Sequence, residues 1–163
     1  MDTDRITQWL TLLANIGVIV GIVVLVIEIQ QANRIAIAST EIEVRNSYDD
    51  INVSIYSDPN LTGLLMGLSD ANNQISPDDD YRIYAFVLSV VNTWLSIEVA
   101  YANGLVPENT FASIEDDIRG WFSDVPGIQS YFQRAYDSFP SDRNTEVYKI
   151  LMRVLRENDG PES

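Results

Sequence analysis

The sequence predicts an all-α protein: one N-terminal transmembrane helix that continues as a long helix into a soluble bundle of about five shorter helices. Three observations predict it. Residues 6–27, ITQWLTLLANIGVIVGIVVLVI, hold no charged side chain, and Arg5 and Glu28 bound them. From Glu28 to Tyr56 there is neither Gly nor Pro. Beyond that, proline punctuates a series of apolar stripes, and no stretch alternates with the period of two that a strand requires.

The uncharged run comes first. At ~1.5 Å per residue it spans about 33 Å as a helix, enough for a hydrocarbon core of about 30 Å. It is longer than the apolar stretch of a signal peptide. Its end, Val26-Ile27-Glu28-Ile29-Gln30, lacks small residues at a cleavage site, so the reading is a retained anchor over residues 1–29. Asp2 or Asp4 is placed to cap it, and Trp9 suits the membrane boundary. Thr7, Thr11 and Asn15 recur every four residues on one face. Gly17 and Gly21 form a GxxxG pair that admits a second helix closely, and an amide such as Asn15 seeks a partner in hydrocarbon. Glu28 stands where the span ends. Arg34 and Arg45, set against Arg5, favour a cytoplasmic C-terminal domain.

A stalk over residues 30–56 continues this helix. Ile37, Val44, Tyr48, Ile51 and Ile55 form one stripe, expected to pack on the chain's own bundle. Ala32, Ile35 and Ile42 form another that can face a second copy. The bundle covers residues 57–158. Ser57-Asp58-Pro59 opens a helix carrying Leu61, Leu64, Leu65 and Leu68, and residues 69–75 form a polar loop. Ser76-Pro77-Asp78-Asp79 combines a Ser cap, Pro at the first helical position and acids against the positive helix end. This helix is expected to run to Ala102, with Tyr81, Tyr84, Leu88, Val91, Leu95 and Val99 inward and Asn103-Gly104 as its stop. Pro107 opens the next, with Phe111, Ile114, Ile118 and Trp121 or Phe122 apolar. Pro126-Gly127 resets the chain for a helix bearing Ile128, Tyr131, Phe132, Ala135 and Tyr136. After Pro140, Ser141 or Asp142 is expected to start the last helix, with Val147, Ile150, Leu151, Val154 and Leu155 apolar. Residues 159–163 form a disordered tail.

Composition removes several chemistries. With no Cys and no His, the chain has no disulfides, thiolate nucleophiles, imidazole bases or ordinary zinc sites. A net charge of -14 from 24 acids and 10 bases opposes nucleic acid binding. Asp70-Ala71-Asn72 and Asp78-Asp79-Asp80 lack the Gly and Glu of a calcium loop and read as helix-start acids. No phosphate-cradling Gly loop and no GxSxG occur. No catalytic, cofactor-binding or metal-binding residue is therefore assigned, and the expectation is a non-enzymatic protein without a cofactor. Glu98, in the apolar run WLSIEVAY, reads as a buried structural carboxylate paired with Arg119 or Arg134.

The run VLVIEIQQANRIAIAST, followed by SDPNLTGLLMGLSD, ISPDDDYR, VNTWLSIEVAYANGLVPENTF and IRGWFSDVPGIQSYFQRAYDSFPSD, resembles an uncharacterised family of small bacterial proteins. These carry one N-terminal transmembrane helix, ending in a Glu/Gln-Ile-Arg-Gln-Asn-like run, and a C-terminal all-helical domain. The likeness extends from Val23 to about Asp142 and departs at Gln30, where the family carries Arg. It implies a build and no activity.

Three expectations of function follow. The first is a membrane-anchored scaffold or interaction protein whose partners are the lipid bilayer and further copies, joined through Asn15, Gly17, Gly21, Ile35 and Ile42. The second is an accessory subunit of a larger membrane complex. The third is a homo-oligomeric cation pore lined by Thr7, Thr11 and Asn15, with Glu28 as an acidic ring.

Overall fold

Helices account for all the regular structure in the computed structural model, which describes residues 3–70 and 74–158, with side chains described from residue 6. The possible caps Asp2 and Asp4, part of the 69–75 loop, the Asp70-Ala71-Asn72 motif beyond Asp70, and the tail lie outside the described residues or side chains. The first helix, α1 (Thr3–Ser57), is continuous, as the absence of Gly and Pro after Gly21 dictates. Five shorter α-helices follow: α2 (Pro59–Gly67), α3 (Pro77–Ala102), α4 (Glu108–Asp124), α5 (Gln129–Ser138) and α6 (Glu146–Asn158). Short 3-10 turns at Pro126–Ile128 and Pro140–Asn144 precede α5 and α6. The chain forms two compact units, Met1–Ser39 and Thr40–Ser163, so the first boundary falls within the expected stalk.

In the first unit every described side chain from position 6 to position 39 is exposed. By length and composition α1 can cross a membrane. So can α3, although nearly half of its most apolar window is buried inside the bundle.

The second unit is built around α3, which contacts α2, α4, α5 and α6. Trp94 lies fully buried at its middle, stacked on Phe132 of α5 at 5.5 Å, and Phe122 of α4 meets the same ring edge-on. The C-terminal part of α1 joins this core, with Ile51 buried and Val44, Tyr48 and Ile55 packed against it.

Local signals set the helix ends. Asp58 accepts hydrogen bonds from the N–H groups of Asn60 and Leu61 at the start of α2, and its other oxygen pairs with Arg82 of α3 at 2.6 Å. Ser76 caps α3 through the N–H of Asp79. At the other end of α3, Leu105 N–H donates to the Ala100 carbonyl and Gly104 adopts φ 68°. That left-handed position suits a residue without Cβ. Gly127 has a different reason. A Cβ there would lie 2.7 Å from the Leu68 carbonyl carbon and closer still to its oxygen, so the turn before α5 touches the end of α2 through bare backbone.

Three expectations are corrected. Ile37, placed in the stripe that packs on the bundle, is exposed. The inward face of α3 is Ile83, Phe86, Val87, Val90, Val91, Trp94, Ile97 and Ala100, whereas Tyr81 and Val99 are 68% and 62% exposed. Apolar residues surround most of this helix, so periodicity supports two stripes about 100° apart, and neighbours on several sides select between them. The last helix starts later than Ser141 or Asp142. Pro140 begins a 3-10 turn, and Thr145 is the cap of α6, receiving Tyr148 N–H on its hydroxyl.

Candidate functional site

The residues singled out along α1 fall on different flanks. At about 100° per residue, Gly17, Gly21, Glu28 and Ile35 lie within ~40° of one another. Gly21, Glu28 and Ile35 recur at every seventh position, and Ile42 continues that spacing in the sequence. A seven-residue repeat drifts by only ~20° per repeat on a straight helix and is kept in line by a left-handed supercoil. A Cβ built on Gly17 or Gly21 meets nothing within 4 Å, leaving room for another backbone. Ile35 and Ile42 are 61% and 60% exposed. Asn15 lies about 120–160° round the helix from the two glycines, nearer Thr11 and Thr7. One two-helix contact cannot hold both the glycines and Asn15.

The polar groups of the span differ in what they need. Thr11 Oγ1 donates to the Thr7 carbonyl at 2.9 Å, the back-bond by which a hydroxyl satisfies itself within a helix. The Asn15 amide, exposed and in mid-span, has no such partner among the described residues. Glu28 is also exposed.

Within the second unit, Tyr48 Oη of α1 donates to Asp117 Oδ2 of α4 at 2.5 Å. Both groups are half-buried. Burial pushes the Asp117 carboxyl above its ordinary range, although the Tyr48 hydrogen bond opposes this. Burial and the adjacent carboxylate together raise Tyr48 far above an ordinary phenol. The buried Trp94 Nε1–H makes no hydrogen bond of good geometry, yet still acts electrostatically on the Asp117 carboxylate. Asp116, Asp124 and Asn52 border the recess above, of about 390 Å³. Among the described residues no group of three or more acids is arranged to hold a metal ion. The cluster's evident work is to lock the end of α1 to α4.

Glu98 is half-buried and bonds to a helix end. Its two oxygens accept the N–H groups of Glu146 and Val147, each at 2.9 Å. With Thr145 taking Tyr148 N–H, the first three donors of α6 are all satisfied. The guanidinium groups considered for Glu98 are engaged elsewhere. Arg119 pairs with Glu115 and Glu157, each at 2.7 Å. Arg134 pairs with Asp80 at 2.8 Å and stacks on the Tyr84 ring at 4.2 Å. No family model, curated protein or solved structure matches the chain.

Charge elsewhere is tied into structure. Arg134, then the Tyr131 hydroxyl, hold the Asp80 carboxyl below its usual range, and burial with Asp80 pushes Tyr131 up to about 12. Glu115 is lowered by Arg119 and by Arg153 beside it. The pairs Arg119–Glu157, Arg134–Asp80 and Arg153–Glu115 join residues 38 to 54 positions apart, beyond the reach of any spacing in the sequence.

Proposed function

We propose that the chain is a single-pass, non-enzymatic scaffold of a bacterial inner membrane, assembled through α1 with its helical bundle in the cytoplasm. The supporting observation is the span itself: an uncharged helix, exposed all round, with an unpartnered amide at Asn15. Sixteen large apolar side chains between Ile6 and Ile29 are 43–65% exposed. At roughly 1–1.5 kcal/mol for the exposed part of each, water contact costs on the order of 15–25 kcal/mol. That exceeds the ~5–15 kcal/mol that holds a typical domain folded. Lipid removes most of this cost.

Lipid does not satisfy Asn15, nor does it fill the notch at Gly17 and Gly21 as closely as a helix does. Since these lie on separate flanks, the assembly contains three or more helices. The simplest source is further copies, with Ile35 on the same flank as the two glycines. Foreign subunits on one flank would instead make the chain an accessory component. The pore reading has less support, because Thr11, one of its three lining residues, is already back-bonded.

Carbonate extraction of membranes tests the anchor, and native mass spectrometry in mild detergent tests assembly. The expected result is a membrane-retained protein whose mass is three or more times that of the chain, reduced by Gly21→Leu or Asn15→Leu. Recovery in the carbonate supernatant overturns the anchor, and a clean monomer overturns the assembly. Co-purified foreign subunits favour the accessory role.

A further inference from the structure

Four of the ten basic residues of this acidic chain, Arg143, Lys149, Arg153 and Arg156, line one groove of about 460 Å³ along α6 and the turn before it. Tyr136 and Tyr148 contribute to the lining, with rings edge-to-face at 5.6 Å. Six bases serve the rest of a chain that carries 24 acids, so this concentration differs from an ordinary mixed-charge face.

Three of the four cations are paired with carboxylates at the surface, and Arg156 is left over. The Arg143 guanidinium lies over the Tyr136 ring at 4.8 Å and donates to the carbonyls of Tyr136 and Asp137, while its nearest carboxylate, Asp137, is 3.7 Å away. Lys149 reaches Glu146, its neighbour one turn back, and both are more than half exposed, so water and ligand exchange there readily. Arg153 leans on Glu115 at one nitrogen and keeps other donors. Arg156 is exposed and makes no ion pair among the described residues. The one acid in the lining, Glu157, is turned to Arg119. Planar guanidinium groups with parallel donors suit a tetrahedral oxyanion, and several around one cavity suit one carrying two or more charges.

We infer that this groove binds a phosphate-bearing anion, with Arg153 and Arg156 as principal contacts and Arg143 fixed beside them. A phosphate of this kind is presented by an anionic lipid headgroup or by a soluble phosphate compound. The inference is independent of assembly through α1.

The test uses the full chain in maltoside micelles, which contain no phosphate. One arm titrates inorganic pyrophosphate and the other adds phosphatidylglycerol, with uncharged maltoside lipid-free micelles as reference. Binding is followed through the arginine Nε–H resonances. Saturable binding is expected in at least one arm, weakening as salt rises. Arg156→Gln removes a charge without breaking an ion pair of the fold and is expected to weaken binding about tenfold, the worth of one charge-assisted contact. Arg153→Gln with Arg156→Gln abolishes it, while Arg45→Gln, outside the groove, leaves it unchanged. Response to pyrophosphate alone assigns a soluble phosphate, and response to phosphatidylglycerol alone assigns a headgroup; either supports the inference. No saturable binding in either arm, or equal binding by wild type and Arg156→Gln, overturns it.

Discussion

Removing the Glu98 carboxylate tests how the last helix is held. Glu98 carries the N–H groups of Glu146 and Val147, donors that no earlier turn of α6 can satisfy. Hydrogen bonds to a charged acceptor each contribute roughly 1.5–3 kcal/mol, and the site is half-exposed, so the lower end applies. Glu98→Ala is therefore expected to cost about 3 kcal/mol, including the attraction between carboxylate and helix end. Glu98→Gln keeps one acceptor oxygen but turns an NH2 towards the other donor, and about half that cost is expected. For a unit of this size each 1 kcal/mol shifts Tm by about 4 °C. The expected losses are thus about 12 °C for Ala and about 6 °C for Gln. Near-UV circular dichroism of the full chain in detergent reads the shift, and hydrogen exchange at Glu146 and Val147 localises it. Because α6 brings Val147, Tyr148, Leu151, Val154 and Leu155 to the core, its loosening should be felt throughout the bundle. If Glu98→Gln melts within about 1 °C of wild type and both amides keep their protection, Thr145 alone suffices and the reasoning is refuted.

Other substitutions separate the remaining devices. The folded-state Asp117 carboxyl lies above its ordinary value of 3.8, so its ionisation opposes folding progressively as pH rises past that value. Asp117→Asn, which still accepts from Tyr48, should raise Tm at neutral pH and leave it unchanged in strong acid; a neutral-pH loss contradicts this. Asp80 has the opposite sign. Its carboxyl is depressed, so its contribution is present above 3.8 and lost as pH falls through the lower folded value. Asp80→Asn should lower Tm at pH ~7, with wild type and variant converging on acidification; parallel pH profiles speak against it. Gly127→Ala drives a methyl into the Leu68 backbone and should cost about 1–3 kcal/mol in chemical denaturation. Gly63→Ala, in open space within α2, should be neutral or gain about 0.5–1 kcal/mol; equal effects at the two positions would show that crowding is not the cause.

What the sequence made legible was local. Asp58, Ser76 and Gly104 act within a few residues of the helix ends they govern, so their spacing alone revealed the starts of α2 and α3 and the stop of α3. Four members of the stripe, Val44, Tyr48, Ile51 and Ile55, were equally plain, since the polar positions between them leave one apolar flank, whereas Ile37, read into the same stripe, is exposed. The inward face of α3 was not. A hub helix is apolar on several sides, and which side is deepest depends on neighbours remote in sequence. Glu98 was singled out for its apolar setting, but its partner is a backbone end 48 and 49 residues away. Side-chain charge gave no hint of an uncharged partner. The basic groove was partly visible: Lys149, Arg153 and Arg156 follow a helical spacing of four and three. Arg143 and the two tyrosines come from outside α6 or before its second turn, and only folding shows that they join it.

The tie between Tyr48 and Asp117 spans 69 residues of chain, and this separation sets a schedule for biosynthesis. At ~5–20 residues per second, a ribosome adds Asp117 about 3–14 s after Tyr48. Throughout that interval Val44, Tyr48, Ile51 and Ile55 are already made while α4 is not. The newborn α1 must therefore wait with an apolar flank uncovered, after its first 39 residues have emerged. Nascent chains halted before α4 should be the ones that chaperones hold and proteases cut, and chains released after α6 should escape both.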